Sequence, residues 1–497
     1  MARTETLVAV DVGTSGARAV AFGVDGNRLL EVRRSYPTSS PAPGWAEQDP
    51  RQWRAAAMAA LAALVRQLGS GQRVAAVGLT GQCPSVCLVD DNGRPLSAGL
   101  IYRDNRATAE ATAIRERFGE AVMHARTGHL PSAFHIAPKL LWLQAHEPEA
   151  FARARWALQP RDLVGHALTG EFATDGTHAA ATLVFDLRRR AWDEGMQAAL
   201  GLRSDLFPPV RQSSEPLAGL SAPAARRVGL PAGTTVVLGG ADSQACALGA
   251  GVVAPGPVSE MAGSSTCLNA AVPEPLSVLE VMHYPHVVPG PYTTETGINT
   301  TGAAVAWLAD LLYAPRRRHP GGADFERLDH EAAAVPHGAD GVLALPVLAD
   351  GERTDAGLRA AFTGLSLRHD RAVLARAMLE GVAFGIRDQL ELLTAGGARV
   401  TELRISGGDT RLGTWNRIKA DVIGVPVIPI PGDAAVGGVA MLAGIGAGIH
   451  ADANDAIRRC VRPAPPVEPD PATRGRYDER FAAWRELAVA NVVRRSS

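Results

Sequence analysis

Cysteine is scarce and unpatterned: five residues, Cys83, Cys87, Cys246, Cys267 and Cys460, in a chain of 497. There is no Cys-x-x-Cys pair and the number is odd. A disulfide framework and a structural zinc site therefore have no support, and a reducing cytoplasm is the expected compartment. An excess of one charge is also missing. Lys plus Arg number 50 against 51 for Asp plus Glu, a net charge of −1, so neither nucleic acid nor another polyanion is an expected partner. No hydrophobic run reaches the ~20 residues of a membrane span. The least polar stretch, 436–449, is about 14 residues long, holds five glycines and reads as a packed core helix. The opening MARTETLVAV runs straight into a strand-like pattern without the features of a signal peptide. No solenoid repeat is present, and no G-x-x-x-x-G-K-[ST] phosphate loop.

What is present is an ordinary globular composition, 46% apolar and 20% charged, with 52 glycines and 34 prolines that predict many tight turns. The length exceeds what one core supports, so at least two lobes are expected. Residues 5–10 and 17–22 read as strands joined by the turn Asp11-Val12-Gly13-Thr14-Ser15-Gly16. Residues 257–262 and 267–272 repeat that shape around Gly263-Ser264-Ser265-Thr266. The recurrence reads as a faint duplication of an α/β lobe that opens with a hydroxyl- and glycine-rich hairpin. Chance is the alternative, since strand-turn-strand is a common shape. Helices are expected at 50–68, where Asp49 caps and Pro50 takes the first position, and at 104–118, 138–146, 303–312 and 371–393. Strand-like runs at 74–79, 235–238, 342–345, 401–406 and 425–430 alternate with them, the pattern of mixed α/β sheets. Five prolines in 463–471 make a stiff connector, followed by a helix over 474–493 that packs back on a lobe.

Three turns carry residue types suited to phosphate chemistry. The first hairpin offers backbone N–H groups, Thr14, Ser15 and Arg18 to phosphate oxygens, and Asp11 at a strand end suits Mg²⁺. Gly239-Gly240-Ala241-Asp242-Ser243-Gln244 follows a strand and precedes a helix. A carboxylate there can take the proton of an attacking hydroxyl. Gly407 and Gly408, between a strand and a helix, permit close approach of a flat ligand such as adenine. Taken singly, each has a simpler structural use: a plain hairpin, a helix N-cap by Asp242, an ordinary strand-to-helix turn. A fourth group, Gly44 to Pro50, Gly81 to Pro84 and Tyr102 to Arg106, mixes polar and aromatic residues in loops, as sugar and polyol sites do.

The order of these segments along nearly the whole chain resembles the carbohydrate kinase family named for its F-G-G-Y signature. The stretches 127–143 and 168–175, Gly351-Glu352-Arg353-Thr354 and Phe362-Thr363-Gly364-Leu365 belong to the same ordered series. The resemblance implies an α/β fold of two actin/hexokinase-like (ribonuclease H-like) lobes, with ATP and sugar in a central cleft. It also implies these bounds: an N-terminal sugar-binding lobe over 1–244, an ATP-binding lobe over 245–462, and a connector with a terminal helix over 463–497. Carried over residue by residue, Asp242 matches the general base, and Asp11 the Mg²⁺ carboxylate, with Asp242 also near the metal. Thr14, Ser15 and Arg18 match the first phosphate hairpin, and Gly263 and Ser264 the second. Gly302, Gly407 and Gly408 line the ATP site. Gln82, Cys83, Phe134 and Ser243 fall on the acceptor side. Trp45, Asp49, Asp104 and Arg106 fit motifs that shape the N-terminal lobe. A homodimer is implied too, although no stretch of sequence supplies an interface.

Departures concern the acceptor. Pro84 stands where xylulokinase-like sequences place a sugar-contacting His, and Ser243 where an Asn commonly follows the catalytic Asp. Losing matched polar partners changes specificity by orders of magnitude. The expected activity is ATP-dependent phosphorylation of a small sugar or polyol, with a ketopentose such as D-xylulose first. Another ketose, a tetritol or pentitol, and a linear signalling sugar are the alternatives. From a different class, a non-catalytic actin- or chaperone-like nucleotide switch would use the same fold.

Overall fold

The computed structural model describes residues 4–69, 71–313, 322–349, 351–352 and 357–492. The chain forms two units. One comprises Met1–Val253, Val272–Thr294 and Ala434–Val461, and the other Ala254–Ala271, Glu295–Asp433 and Arg462–Ser497. A cut after residue 244 would divide the helix Asp242–Gly249. The first unit instead runs on to Val253 and takes back Ala434–Val461 from late in the chain. The reason is apolar packing: Val436, Val439, Ala440 and Ala443 of the helix Ala434–Gly446 share a core with Leu7, Ala9, Ala76 and Ala245.

The sheet of the first unit runs in the order Pro216–Gly219, Thr235–Val237, Gln72–Gly81, Thr4–Val12, Gly16–Gly23, Arg28–Ser35. Thr4–Val12 forms the expected hairpin with Gly16–Gly23 and lies parallel to Gln72–Gly81, which in turn lies parallel to Thr235–Val237. From Thr6 onward the first strand is buried on both faces, as a near-continuous apolar run in a parallel sheet must be. The helix Pro50–Leu68 covers one face with Trp53, Ala57, Leu61 and Leu64, packed with Val8, Val10, Val77 and Leu79. Its cap is as expected, with Asp49 accepting from the Arg51 N–H.

The helix expected from 104 begins only at Thr108. Asp104 is spent elsewhere: it is fully buried and accepts from the Ala46 and Arg106 backbone N–H groups. Arg106 is bonded to Asp104 and Glu47, with its guanidinium 3.7 Å above the Trp45 ring. These residues shape their loop, as the resemblance implied.

In the second unit, Gly256–Ala262 and Thr266–Val272 form the second hairpin. Gly256–Ala262 lies parallel to Val400–Gly407, which lies parallel to Val427–Pro429. A hairpin followed outward by two parallel strands is the same succession as in the first unit, so the duplication is one of topology. The helix Arg371–Ala395 starts at the Asp370 cap. The final helix, Arg474–Ala490, packs Phe481 and Trp484 on Phe384, and the connector belongs to this unit too. Arg353, Thr354 and Val493 lie outside the described residues. Among the described residues no helix is long and apolar enough to cross a membrane, and no disulfide joins any of the five cysteines.

Candidate active site

Three neighbouring strands of the first unit, Thr235–Val237, Gln72–Gly81 and Thr4–Val12, are parallel, so their carboxyl ends open on one edge. Ligand sites of open α/β sheets form at such edges. Asp11 stands at the end of the first strand, paired in register with Thr80. Gln82 follows the second and donates its backbone N–H to the Val12 carbonyl at 3.0 Å. Gly239-Gly240-Ala241-Asp242 follows the third. The Thr80 hydroxyl donates to the Gly240 carbonyl at 2.7 Å, which ties this turn back to the Asp11 level. Gly239 is obligatory: its φ is +72° and a Cβ there would lie 1.7 Å from the Leu79 carbonyl oxygen. Asp11, Gln82 and Asp242 are thereby gathered on a single edge.

Asp11 is 9% exposed and accepts from Arg18 Nε at 2.8 Å. Arg18, expected as a phosphate ligand, thus also balances the carboxylate beside it. The turn between them is closed by Gly13 N–H to the Gly16 carbonyl, 3.0 Å. Thr14 reaches Tyr102 through its hydroxyl at 3.5 Å, and Ser15 is exposed at the tip. Asp242 is the first residue of its helix. The N-cap position belongs to Ala241, and the Asp242 carboxylate accepts from the Ser243 N–H at 2.9 Å. The capping use of Asp242 is therefore corrected. The Ser243 hydroxyl accepts from Gln244 at 3.2 Å.

Sequence reasoning missed the buried network beneath this turn. Arg161 Nη1 donates to the Leu238 carbonyl at 2.6 Å, and its Nη2 donates to Asp175 at 2.9 Å. Asp175 also accepts from His178, Thr177 and Ser213, each at 2.7 Å. Burial alone would push the Asp175 carboxyl up, but Arg161 and His178 hold it well below the usual carboxylate range. The Thr177 hydroxyl in turn accepts from the Ala241 N–H at 2.9 Å. A fixed negative charge is thus connected, through one hydroxyl, to the backbone next to Asp242. No local motif announces this, because the groups meet only through the sheet.

Among the residues expected on the acceptor side, the Phe134 ring meets Tyr102 edge-on at 6.3 Å and His135 at 5.2 Å. Its carbonyl accepts from Lys139 at 2.6 Å. Burial pulls the Lys139 ammonium down to about 7, while Asp104 and Cys83 act against that fall. Cys83 packs beside Tyr284 and Phe185. Gln82, 3% exposed, donates through Nε2 to Gln48 at 2.8 Å.

The second unit holds a cavity of about 330 Å³ lined by Gly263, Ser264, Gly302, Gly408, Asp409 and Trp415, among others. Four of the five residues expected there to bind the nucleotide line it. Gly407 ends the adjoining strand, opposite Ala262 in register. Gly302 opens the helix Gly302–Tyr313 and donates its N–H to the Gly263 carbonyl at 3.1 Å, while Ala303 donates to the Ser264 carbonyl at 3.0 Å. A Cβ on Gly302 would lie 2.3 Å from the Gly263 oxygen. Glu260 and Asp409, which line the cavity, are both bonded by buried Lys419, Glu260 through both oxygens at 2.9 and 3.0 Å. Burial, chiefly, and the nearby Asp409 push the Glu260 carboxyl above the usual carboxylate range, Lys419 opposing. This triad was likewise missed, since Glu260 and Lys419 lie 159 positions apart.

A model of the N-terminal domain of the FGGY family of carbohydrate kinases matches residues 6–249, and one of the C-terminal domain matches residues 259–447. The xylulose kinase of Bacillus subtilis is 27% identical over 97% of this chain and 96% of its own. The autoinducer-2 kinase of Salmonella choleraesuis is 30% identical over 97% and 93%. Among solved structures, xylulose kinase from Rhodospirillum rubrum matches with a TM-score of 0.89 and 33% identity over 98% of each chain.

Proposed function

The chain belongs to the FGGY family of carbohydrate kinases, and from that premise we propose that it transfers the γ-phosphoryl group of ATP to a hydroxyl of a small ketose or polyol in the cytoplasm. D-xylulose is the first acceptor to test. The observation that carries this reading is the meeting of Asp11, Gln82 and Asp242 at the carboxyl ends of adjacent parallel strands. Membership of a kinase family sets aside the non-catalytic switch.

Phosphoryl transfer needs positioning and charge neutralisation more than covalent chemistry. In this reading Asp242 takes the proton of the acceptor hydroxyl as its oxygen attacks phosphorus. The support network under Ala241 keeps that carboxylate from drifting. Gln82 and Phe134 orient the acceptor, and Cys83 and Ser243 set its fit. Thr14, Ser15 and Arg18 of the first hairpin suit phosphate oxygens, and so do Gly263 and Ser264 of the second. Gly302, Gly407 and Gly408 leave room for the nucleotide.

The carboxylates of Asp11 and Asp242 suit Mg²⁺, which in kinases takes one or two carboxylates and fills its shell with phosphate oxygens and water. Among the described residues no cluster of three or more acidic, His or Cys side chains is present. When bound, the ion supplies neutralisation of phosphate charge.

A linear sugar of the autoinducer type is the second reading, favoured by the 30% identity to the Salmonella kinase and by Pro84 in place of a sugar-contacting His. A coupled ADP-release screen with Mg-ATP over ketopentoses, ketohexoses, tetritols, pentitols and linear signalling sugars separates the two. One class should stimulate turnover far above acceptor-free hydrolysis, and stimulation by none would overturn the acceptor class. Asp242→Asn should fold and bind acceptor while losing about a thousandfold in kcat. Near-normal turnover would remove Asp242 from the mechanism.

A further inference from the structure

Gln82 is held in one amide orientation, and the geometry points to Trp53 and Gln48 as positioning residues that decide which polar group of the acceptor Gln82 can recognise. This rests on the acceptor-side reading of Gln82 given above.

Trp53 lies in the first turn of the helix Pro50–Leu68 and is fully buried. Its indole N–H can only donate, and it donates to Gln48 Oε1 at 2.7 Å. That contact fixes Gln48. Its Nε2 faces the other way and donates to the Thr14 carbonyl at 2.7 Å and to Thr38 Oγ1 at 2.8 Å. A flipped Gln48 would set its NH₂ group against the indole N–H and its oxygen against the Thr14 carbonyl oxygen. Gln48 Oε1, so fixed, is an acceptor for its second neighbour as well, at 2.8 Å from Gln82 Nε2. The atom of Gln82 that faces Gln48 must therefore be nitrogen. Gln82 Oε1 is left buried, with no hydrogen-bond partner among the described residues.

A buried carbonyl oxygen without a partner accepts and cannot donate. The group of the acceptor that meets it must carry a hydrogen: a hydroxyl, and not the keto oxygen of a ketose. The indole N–H, two residues removed from the contact, thus writes the polarity of the recognition site. The same Gln48 also holds the carbonyl of Thr14, so the phosphate hairpin and the acceptor contact are pinned by one side chain.

The test uses Trp53→Phe and Gln48→Met in the full chain, with the acceptor that the screen identifies and its mono-deoxy analogues. In wild-type enzyme one deoxy analogue should show a raised KM, because it leaves Gln82 Oε1 unpaired. In both variants the KM of the parent sugar should rise at least about tenfold, the loss of one matched hydrogen bond. The penalty for that deoxy analogue should shrink towards one in both, and in Trp53→Phe, which leaves the Gln48 bond to the Thr14 carbonyl in place, the KM for ATP should stay within twofold. A sugar KM within twofold of wild type in either variant, or equal rises for sugar and ATP in Trp53→Phe, overturns the relay. A readout independent of turnover is the ¹⁵N-labelled indole N–H of Trp53, assigned by its disappearance in Trp53→Phe. It should exchange slowly in wild type and lose protection in Gln48→Met. Unchanged exchange also overturns the relay. Failure of wild type to use any acceptor in the panel overturns the acceptor reading instead, and the indole measurement then decides the relay alone.

Discussion

Protonation of His286 should weaken the first unit measurably under mild acid. The ring is 3% exposed. Its Nε2 meets the Val252 carbonyl at 2.9 Å, and its Nδ1 accepts from the Val288 N–H at 3.1 Å. Nδ1 acting as acceptor makes Nε2 the donor, so both ring nitrogens are committed to the neutral form. A second proton must break the Val288 bond. Burial, chiefly, and the Arg190 charge pull the imidazole down to about 4, the bond to Val252 opposing. The ordinary value is about 6.5. The unfolded chain therefore binds the extra proton between those two values, and the folded chain does not. Stability from this group is complete above pH 6.5 and is lost as pH falls to about 4, roughly 3 kcal/mol in all and about 1 kcal/mol per pH unit near pH 5.5. That is a large part of a typical stability of about 5–15 kcal/mol. The assay is guanidinium unfolding at several pH values from 7.5 to 5.5, for wild type and His286→Asn. The variant retains a short acceptor near Val288 and cannot titrate. It should be less stable at pH 7.5, and the gap should narrow by about 1–2 kcal/mol by pH 5.5. His135 and His283, each held at about 3 chiefly by burial, steepen both curves alike, and Glu260 opposes them in both. The difference isolates one ring. Parallel curves would refute the reasoning.

Two further substitutions test the candidate residues of each unit in turn. Thr177→Val removes the hydroxyl between Asp175 and the Ala241 N–H. It should lower kcat about tenfold with little change in the KM for ATP, at a stability cost of about 1–3 kcal/mol. Thr177→Ser should restore turnover, and steady-state kinetics with a melting curve check both statements. Gly302→Ala would place its Cβ 2.3 Å from the Gly263 carbonyl oxygen. The backbone must shift, and displacing the hairpin by tenths of an ångström to about 1 Å should raise the KM for ATP tenfold or more, with the acceptor KM unchanged. An ATP titration at saturating acceptor measures it.

The parts of this protein that are legible in its sequence are those whose residue types have a local cause. Asp49 and Pro50 announce a helix start because the cap bond closes within two residues. The hairpins at Asp11–Gly16 and Gly263–Thr266 are legible because a tight turn demands small residues between β-branched flanks. Asp104 misleads for the same reason: a local reading makes it a helix start, whereas its carboxylate serves the Ala46 N–H, 58 positions away. Asp242 is ambiguous locally, since any Asp before a small-residue helix looks like a cap. What removes the ambiguity is the turn at Gly239, tight against the Leu79 carbonyl, which leaves Ala241 as the N-cap. Arg161 with Asp175, and Lys419 with Glu260, read in sequence as ordinary surface charges, because charged residues are rarely buried unless paired. Their pairing depends on strand order. Once Thr4–Val12 lies parallel to Gln72–Gly81, and Gln72–Gly81 to Thr235–Val237, the residues after each strand are forced onto one edge. The charges beneath that edge must then find partners within the sheet. The candidate chemistry-bearing residues could be named because they sit in turns with local rules. The residues that hold them in place could not, because their only rule is the topology that brings them together.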